Sequence, residues 1–327
     1  IELGITPDRA DCFGVYGIAR DLAAAEFGTL KPLATGKGAG SFDSPIKWNR
    51  DFTNKHQDAC PMVVGRYFRG LSNGPSPKWV QDRLIAIGLR PISALVDITN
   101  LVTFDLCRPL HVFDADKIAG DLTMRLARKG ETVVALDGRE YTLEDGMSVI
   151  ADANTVHSIA GIMGGEESAC GEETTNVFLE VALFDPIRTA TTGRKLGIES
   201  DARYRFERGL DPESAYWGAE VATRLILEFC GGKASELTVS GEMPEWARPV
   251  SLRPERLKTF GGVDVSLEEA ASILKRLGFE PKANDGVIQA TTPSWRPDVS
   301  TEYCLIEEVL RVKGFDEIPV VPMERES

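Results

Sequence analysis

Two hydrophobic periods organise the chain. Across residues 90–116, R-P-I-S-A-L-V-D-I-T-N-L-V-T-F-D-L-C-R-P-L-H-V-F-D-A-D, the apolar positions Leu95, Ile98, Val102 and Leu106 recur at helical spacing, with Thr99 and Asn100 on the flank of the stripe. Arg108-Pro109 follows, and because proline lacks a donor and its ring ends the run, the pattern predicts a fixed turn that delivers His111. Residues 176–184, N-V-F-L-E-V-A-L-F, read instead as a strand buried on both faces. By period two, Glu180 shares a face with Phe178 and Ala182, while Leu179 and Val181 point the other way. An ionised carboxylate is costly to bury without a specific partner, so Glu180 either joins a structural salt bridge to an arginine or serves a ligand.

The remaining punctuation predicts an α+β chain. A helix over residues 12–27, capped by Asp11 and stopped by Gly28, has the look of the tail (1–35) of a domain cut off upstream, and a glycine-rich linker (36–59) follows it. A mixed domain then occupies residues 60–241. It holds a strand over 62–71, a helix over 77–88, and short strands between 122 and 152 with turns at Asp137-Gly138 and Asp145-Gly146. The segment H-S-I-A-G-I-M-G-G, residues 157–165, is poor in bulk, which suits either a tight bend or close approach of backbone to a substrate. Asp185-Pro186 and Asp211-Pro212 open helices that Gly197 and Gly231-Gly232 close. After a linker at 242–249, a last module (250–320) reads helix, helix, hairpin, helix, with a capping box at 266–269 and a turn at Asn284-Asp285-Gly286. That order is winged-helix-like, and residues 321–327 form a tail.

Composition narrows the function classes. The hydrophobic share of 43% and charged share of 27% are those of globular proteins, and no apolar run is long enough to cross a bilayer. The start has neither a basic nor an apolar leader region, and no initiator methionine, so a piece of a longer cytoplasmic polypeptide is expected. Six dispersed cysteines, without a C-x-x-C pair or a histidine cluster, read as reduced thiols and not as a zinc site. A net charge of −13 argues against a broad nucleic-acid footprint. Arg194, Lys195, Arg203, Arg205 and Arg208 nevertheless gather in one segment that is either a local phosphate-binding patch or a solvated loop of paired charges. No serine or cysteine nucleophile is matched to a histidine and an acid, and the last module has no basic recognition helix of the kind a DNA-binding regulator needs.

Five segments together carry a resemblance: R-P-I-S-A-L-V-D-I-T-N, R-P-L-H-V-F-D, I-A-G-I-M-G-G, F-L-E-V-A-L-F-D-P-I-R and S-D-A-R-Y-R-F-E-R-G-L-D, with P-S-W-R-P-D-V-S-T-E-Y-C-L-I-E-E-V-L-R-V-K-G-F-D-E-I-P in the last module. In this order they resemble the beta subunits of bacterial phenylalanyl-tRNA synthetases. The resemblance implies an editing domain followed by a winged-helix-like domain. It also implies an α2β2 assembly with an alpha subunit that uses ATP to charge tRNA(Phe), while the beta subunit hydrolyses tyrosine wrongly joined to that tRNA. An apolar pocket rejects an added hydroxyl by only about a hundredfold, so a second, hydroxyl-reading pocket has a use. On the matching positions, Glu180 would accept the phenol's hydrogen bond, and Ala160, Gly164, Ser200 and Ala202 would line the ring pocket. His111, Asn100 and Thr99 would lie near the ester, with His111 either a general base or a positioning group for a water. A Mg2+ site shared with the alpha subunit would fall on Asp298, Glu307 and Glu308. At Cys304 the family usually has aspartate, and a thiol is a poor ligand for a hard cation. The alternative reading is a non-catalytic scaffold that docks tRNA.

Overall fold

The computed structural model describes residues 2–36 and 40–320; Lys37, Gly38 and Ala39 of the expected linker and the expected tail at 321–327 lie outside the described residues. The chain divides into two compact units, Ile1–Tyr16 with Leu33–Pro244, and Gly17–Pro32 with Glu245–Ser327. The first 35 residues therefore do not act as one tail: Ala10 accepts a hydrogen bond from the Cys107 thiol in the first unit, while Ala24 is buried in the core of the second.

Strands, numbered along the chain, are β1 Trp48–Asp51, β2 Met62–Arg69, β3 His111–Asp114, β4 Leu122–Leu126, β5 Thr132–Val134, β6 Glu140–Thr142 and β7 Ser148–Ala151. They continue with β8 Val156–Ile159, β9 Met163–Gly164, β10 Asn176–Leu183 and β11 Lys233–Gly241, all in the first unit. A four-stranded antiparallel sheet in the order β11-β2-β10-β3 forms its centre, and a five-stranded sheet, β1-β4-β7-β8-β9, stands beside it. As the alternation of β10 predicts, its two faces enter separate cores. Val177, Leu179, Val181 and Leu183 pack with the helices Ala94–Leu106 and Ser214–Cys230, whereas Phe178 and Ala182 pack with Trp48, Phe113, Ala160 and Phe206.

Most capping signals hold. The Asp185 carboxylate accepts from the Arg188 amide, Pro186 is the first helical residue, and Gly197 closes the helix at φ 64°. Four readings change. The helix expected over 12–27 under an Asp11 cap spans Val15–Ala24, and Asp11 lies inside the short 3-10 turn Ala10–Cys12. The helix Ala94–Leu106 ends at Cys107, whose left-handed φ of 55° turns the chain before Pro109 is reached, and His111 then begins strand β3 and does not sit on a turn. Asp137-Gly138 is not a two-residue turn: only Gly138 has positive φ, and the loop closes through an Ala135 to Arg139 hydrogen bond, one residue longer. Residues 40–59, read as linker, include β1, whose Trp48 is 5% exposed; Ile46 and Phe52 are buried with it, so this segment belongs to the core.

The second unit contains β12 Pro249–Leu252, β13 Glu280–Asn284 and β14 Val287–Thr291, joined in the order β12-β14-β13, with helices Glu255–Thr259, Leu267–Arg276 and Glu302–Lys313. Asp285 and Gly286 both take positive φ, 48° and 77°, and here the two-residue hairpin turn is realised. The Ser266 hydroxyl caps its helix as predicted. At the centre, Arg296 spans two carboxylates, Asp298 at 2.7 Å and Glu308 at 2.7 Å, and Arg311 adds a second guanidinium to Glu308 at 2.6 Å. Among the described residues no helix is long and apolar enough to cross a membrane.

Because Glu308 is 3% exposed, removing Arg296 would leave this buried charge with Arg311 alone and take the guanidinium from Asp298 as well. Arg296→Met is expected to lower the stability of this unit by about 3–5 kcal/mol, measured by chemical denaturation; a change below about 1 kcal/mol would mean that Glu308 finds water instead.

Candidate functional site

The central sheet brings His111 and Glu180 together. They are register partners on β3 and β10, so their side chains leave the same face, directly opposite one another. On the other flank of Glu180, its partner on β2 is Gly65, which has no side chain of its own and leaves that space to the Trp48 indole. Gly164 on β9 closes over the histidine: a Cβ built there would stand 2.5 Å from His111 Cε1 and 2.8 Å from its Nε2. The imidazole also packs edge-on against Phe113, with ring centroids 4.6 Å apart.

Both polar side chains are unsatisfied. Glu180 is 6% exposed, and its Oε1 has no hydrogen-bond partner among the described residues; the same is true of His111 Nε2. Burial pushes the Glu180 carboxyl up to about 7, although the charge of Arg108 and the backbone of Ala182 pull the other way. The structural alternative of a direct arginine ion pair is not realised, because the Arg108 guanidinium donates to Ser214 Oγ and to the Ala182 carbonyl. Burial lowers His111 to about 4, so its ring is neutral at physiological pH.

The bulk-poor segment forms a tight bend. Residues 156–164 form the tight β8-β9 hairpin, with Gly161 at φ 71°, and a Cβ on Gly165 would meet the His157 carbonyl at 2.8 Å. Gly164 and Ala160 instead face the site: Ala160 is buried with Phe178 and Ala182 on the Glu180 face, and partly buried Ala202 packs against the same cluster. Ser200 is committed to structure, since its Oγ caps the helix Asp201–Phe206 and donates to the Ile162 carbonyl at 2.6 Å, tying that helix to the hairpin. Thr99 and Asn100 are not brought to the imidazole by any hydrogen bond among the described residues. Their helix packs its apolar stripe on the opposite face of the sheet, and the Thr99 hydroxyl turns back to the Val96 carbonyl at 2.7 Å.

Sequence reasoning passed over Trp48 and Gly65. The alternation of Ile46 and Trp48 was the available signal, hidden by the glycine-rich stretch before it. The basic segment proves to be a set of internal pairs. Arg203 reaches Glu207 at 3.0 Å, Arg205 reaches Asp201 at 3.1 Å and the Phe13 carbonyl, Arg208 reaches Glu207 at 2.7 Å, and Lys195 reaches Glu144 at 2.7 Å. Only Arg194 is left as an exposed cation with no recorded pair in that group.

The residues expected to hold Mg2+ do not fit it. Asp298 and Glu308 are already bridged by Arg296, and the arginines outweigh burial to hold Glu308 at about 2. Glu307 is exposed, on a different side of the helix from buried Glu308, and no cluster of three potential ligands occurs among the described residues.

Comparison with known proteins places this architecture. Residues 59–231 match the B3/4 domain and residues 250–315 the tRNA synthetase B5 domain. The chain belongs to the B3/4 domain family, in the B3/4-then-B5 arrangement of bacterial phenylalanine–tRNA ligase beta subunits. It is 54% identical over 325 residues to the phenylalanine–tRNA ligase beta subunit of Paramagnetospirillum magneticum, covering 99% of this chain and 41% of that protein. With the corresponding subunit of Brucella abortus it shares 55% over 327 residues, 99% of this chain and 40% of that one. The chain thus spans about two fifths of the length of these relatives, 41% and 40%. An N-terminal fragment of the phenylalanyl-tRNA synthetase beta subunit from Pyrococcus horikoshii superposes with a TM-score of 0.46 at 17% identity, covering 94% of this chain and 84% of that fragment.

The raised carboxyl has a stability signature. The unfolded Glu180 ionises around 4.5 and the folded one around 7, so the unfolded state releases its proton first and stability falls as pH rises between those values, then levels off. The loss amounts to roughly 3 kcal/mol. Glu180→Gln should remove this fall, read as the difference between wild-type and variant denaturation midpoints from pH 4 to 8; parallel curves would show that Glu180 ionises normally.

Proposed function

We propose that this chain carries a proofreading hydrolase site that removes tyrosine wrongly esterified to tRNA(Phe), within a phenylalanine–tRNA ligase assembly. One observation carries the reading: a buried carboxylate with an open acceptor oxygen stands opposite a neutral histidine in a B3/4 domain. An apolar cluster that includes Phe178, Ala160 and Ala202 suits an aromatic ring, and a phenol at its end would satisfy Glu180, whereas a phenyl ring would leave it unpaired.

In the hydrolysis, a water oxygen bonds to the ester carbonyl carbon and the bond to the ribose oxygen breaks. The proton lost by the water ends on the departing ribose hydroxyl, leaving free tyrosine and uncharged tRNA. His111, held at about 4, is a weak proton acceptor at neutral pH. Positioning of the water or of the aminoacyl group by Nε2 is therefore the role its chemistry favours over full proton abstraction. Gly164 lies against His111 in this closed arrangement, and substrate entry requires the β8-β9 hairpin to draw back. Charging of tRNA(Phe) with phenylalanine, with its ATP and magnesium, is assigned to a partner alpha subunit. The acidic positions near Glu308, engaged by arginines, take no part in the hydrolysis.

The scaffold reading draws support from the same closure, and hydrolysis of a minimal tyrosyl-adenosine ester separates the two: binding without turnover favours the scaffold. Glu180→Ala should cut the preference for tyrosyl over phenylalanyl esters by about a hundredfold or more, and an unaltered ratio would remove the phenol assignment. His111→Ala should slow deacylation by about a hundredfold. Any inflection of the wild-type rate near neutral pH should come from Glu180 and persist in His111→Ala; one that vanishes in that variant would restore the general base.

A further inference from the structure

Glu180 is not the only orphaned polar group on its face of the sheet. Trp48, 5% exposed, has an indole Nε1 with no hydrogen-bond partner among the described residues. Its location is fixed by Gly65: a Cβ built on that glycine would stand 2.1 Å from Trp48 Nε1. Gly65 is the register partner of Glu180, so this Cβ direction and the Glu180 side chain leave neighbouring strands on the same face. The indole is held there by Phe178, two positions before Glu180, with ring centroids 5.1 Å apart. An unmatched donor and an unmatched acceptor thus stand over adjacent backbone positions, within a core where each unmet hydrogen bond is costly.

We propose that Trp48 Nε1–H and the Glu180 carboxylate together form a two-point reader for a single hydroxyl. The phenol of a bound tyrosyl group donates its proton to Glu180 Oε1 and accepts the indole N–H on its oxygen. This rests on the proofreading reading and sharpens it: a carboxylate alone selects any donor, whereas the pair selects a group that donates and accepts at one atom. A hydroxyl does so, and an aromatic amine, a poor acceptor, does not. Gly65 is part of the device, since any side chain there would displace the indole.

The test compares binding of non-hydrolysable 3′-amide analogues of aminoacyl-adenosine carrying tyrosine, phenylalanine or 4-aminophenylalanine to the intact protein, as wild type, Glu180→Gln and Trp48→Phe. The wild type is expected to rank tyrosyl above 4-aminophenylalanyl by about three- to tenfold, the worth of one neutral hydrogen bond, and phenylalanyl last. Trp48→Phe should erase the gap between tyrosyl and 4-aminophenylalanyl, an outcome that a purely packing role for the indole would not produce. Equal wild-type affinity for tyrosyl and 4-aminophenylalanyl would overturn the two-point reader without any variant having to fold. So would a gap that survives Trp48→Phe. A wild type without preference for tyrosyl over phenylalanyl would overturn the proofreading reading itself, and the reader with it. A preference lost in Glu180→Gln but untouched in Trp48→Phe would keep the first and remove the second.

Discussion

The cost of placing a carboxylate in the interior of a two-sided sheet governs the arrangement of the first unit. Glu180 sits on a strand whose other residues fill two apolar cores, and its proton is retained to about 7 because the surroundings give its charge little solvation. Stability alone offers no reason for it: an apolar residue at this position would pack as Phe178 and Ala182 do. Gly65 on one side and Gly164 above His111 on the other have no room for a Cβ, because the Trp48 indole and the His111 imidazole already stand there.

The two faces of the central sheet pack against different elements. One face packs the helices Ala94–Leu106 and Ser214–Cys230 into a continuous apolar layer, and here Thr99 spends its hydroxyl on its own helix. The other face meets β1, the β8-β9 hairpin and the helix Asp201–Phe206, and holds the open atoms of Trp48, His111 and Glu180. Ser200 links two of these covering elements through Ile162, so the parts that would have to move for a substrate to enter are coupled to each other.

Charge follows a related economy. A body of net charge −13 could be expected to present its arginines to an anionic partner, yet Arg203, Arg205 and Arg208 are engaged by nearby carboxylates and carbonyls. In the second unit Arg296 neutralises Asp298 and Glu308 in the same way, so these two carboxylates are already engaged by a guanidinium.

What the sequence determined by itself was local. Period two put Glu180 on the face of Phe178 and Ala182, a cap and a glycine bounded the helix after Asp185, and the Asp285-Gly286 turn was read correctly, because these depend on neighbours a few positions away. Only the tertiary structure decided that His111 is the cross-strand partner of Glu180, that Trp48 lies over Gly65, and that Thr99 and Asn100 belong to a helix on the opposite face. Strand pairing joins residues far apart in the chain, and sequence periodicity specifies which face a residue occupies but not which strand lies beside it. The histidine and the glutamate were each legible as anomalies; their juxtaposition was not.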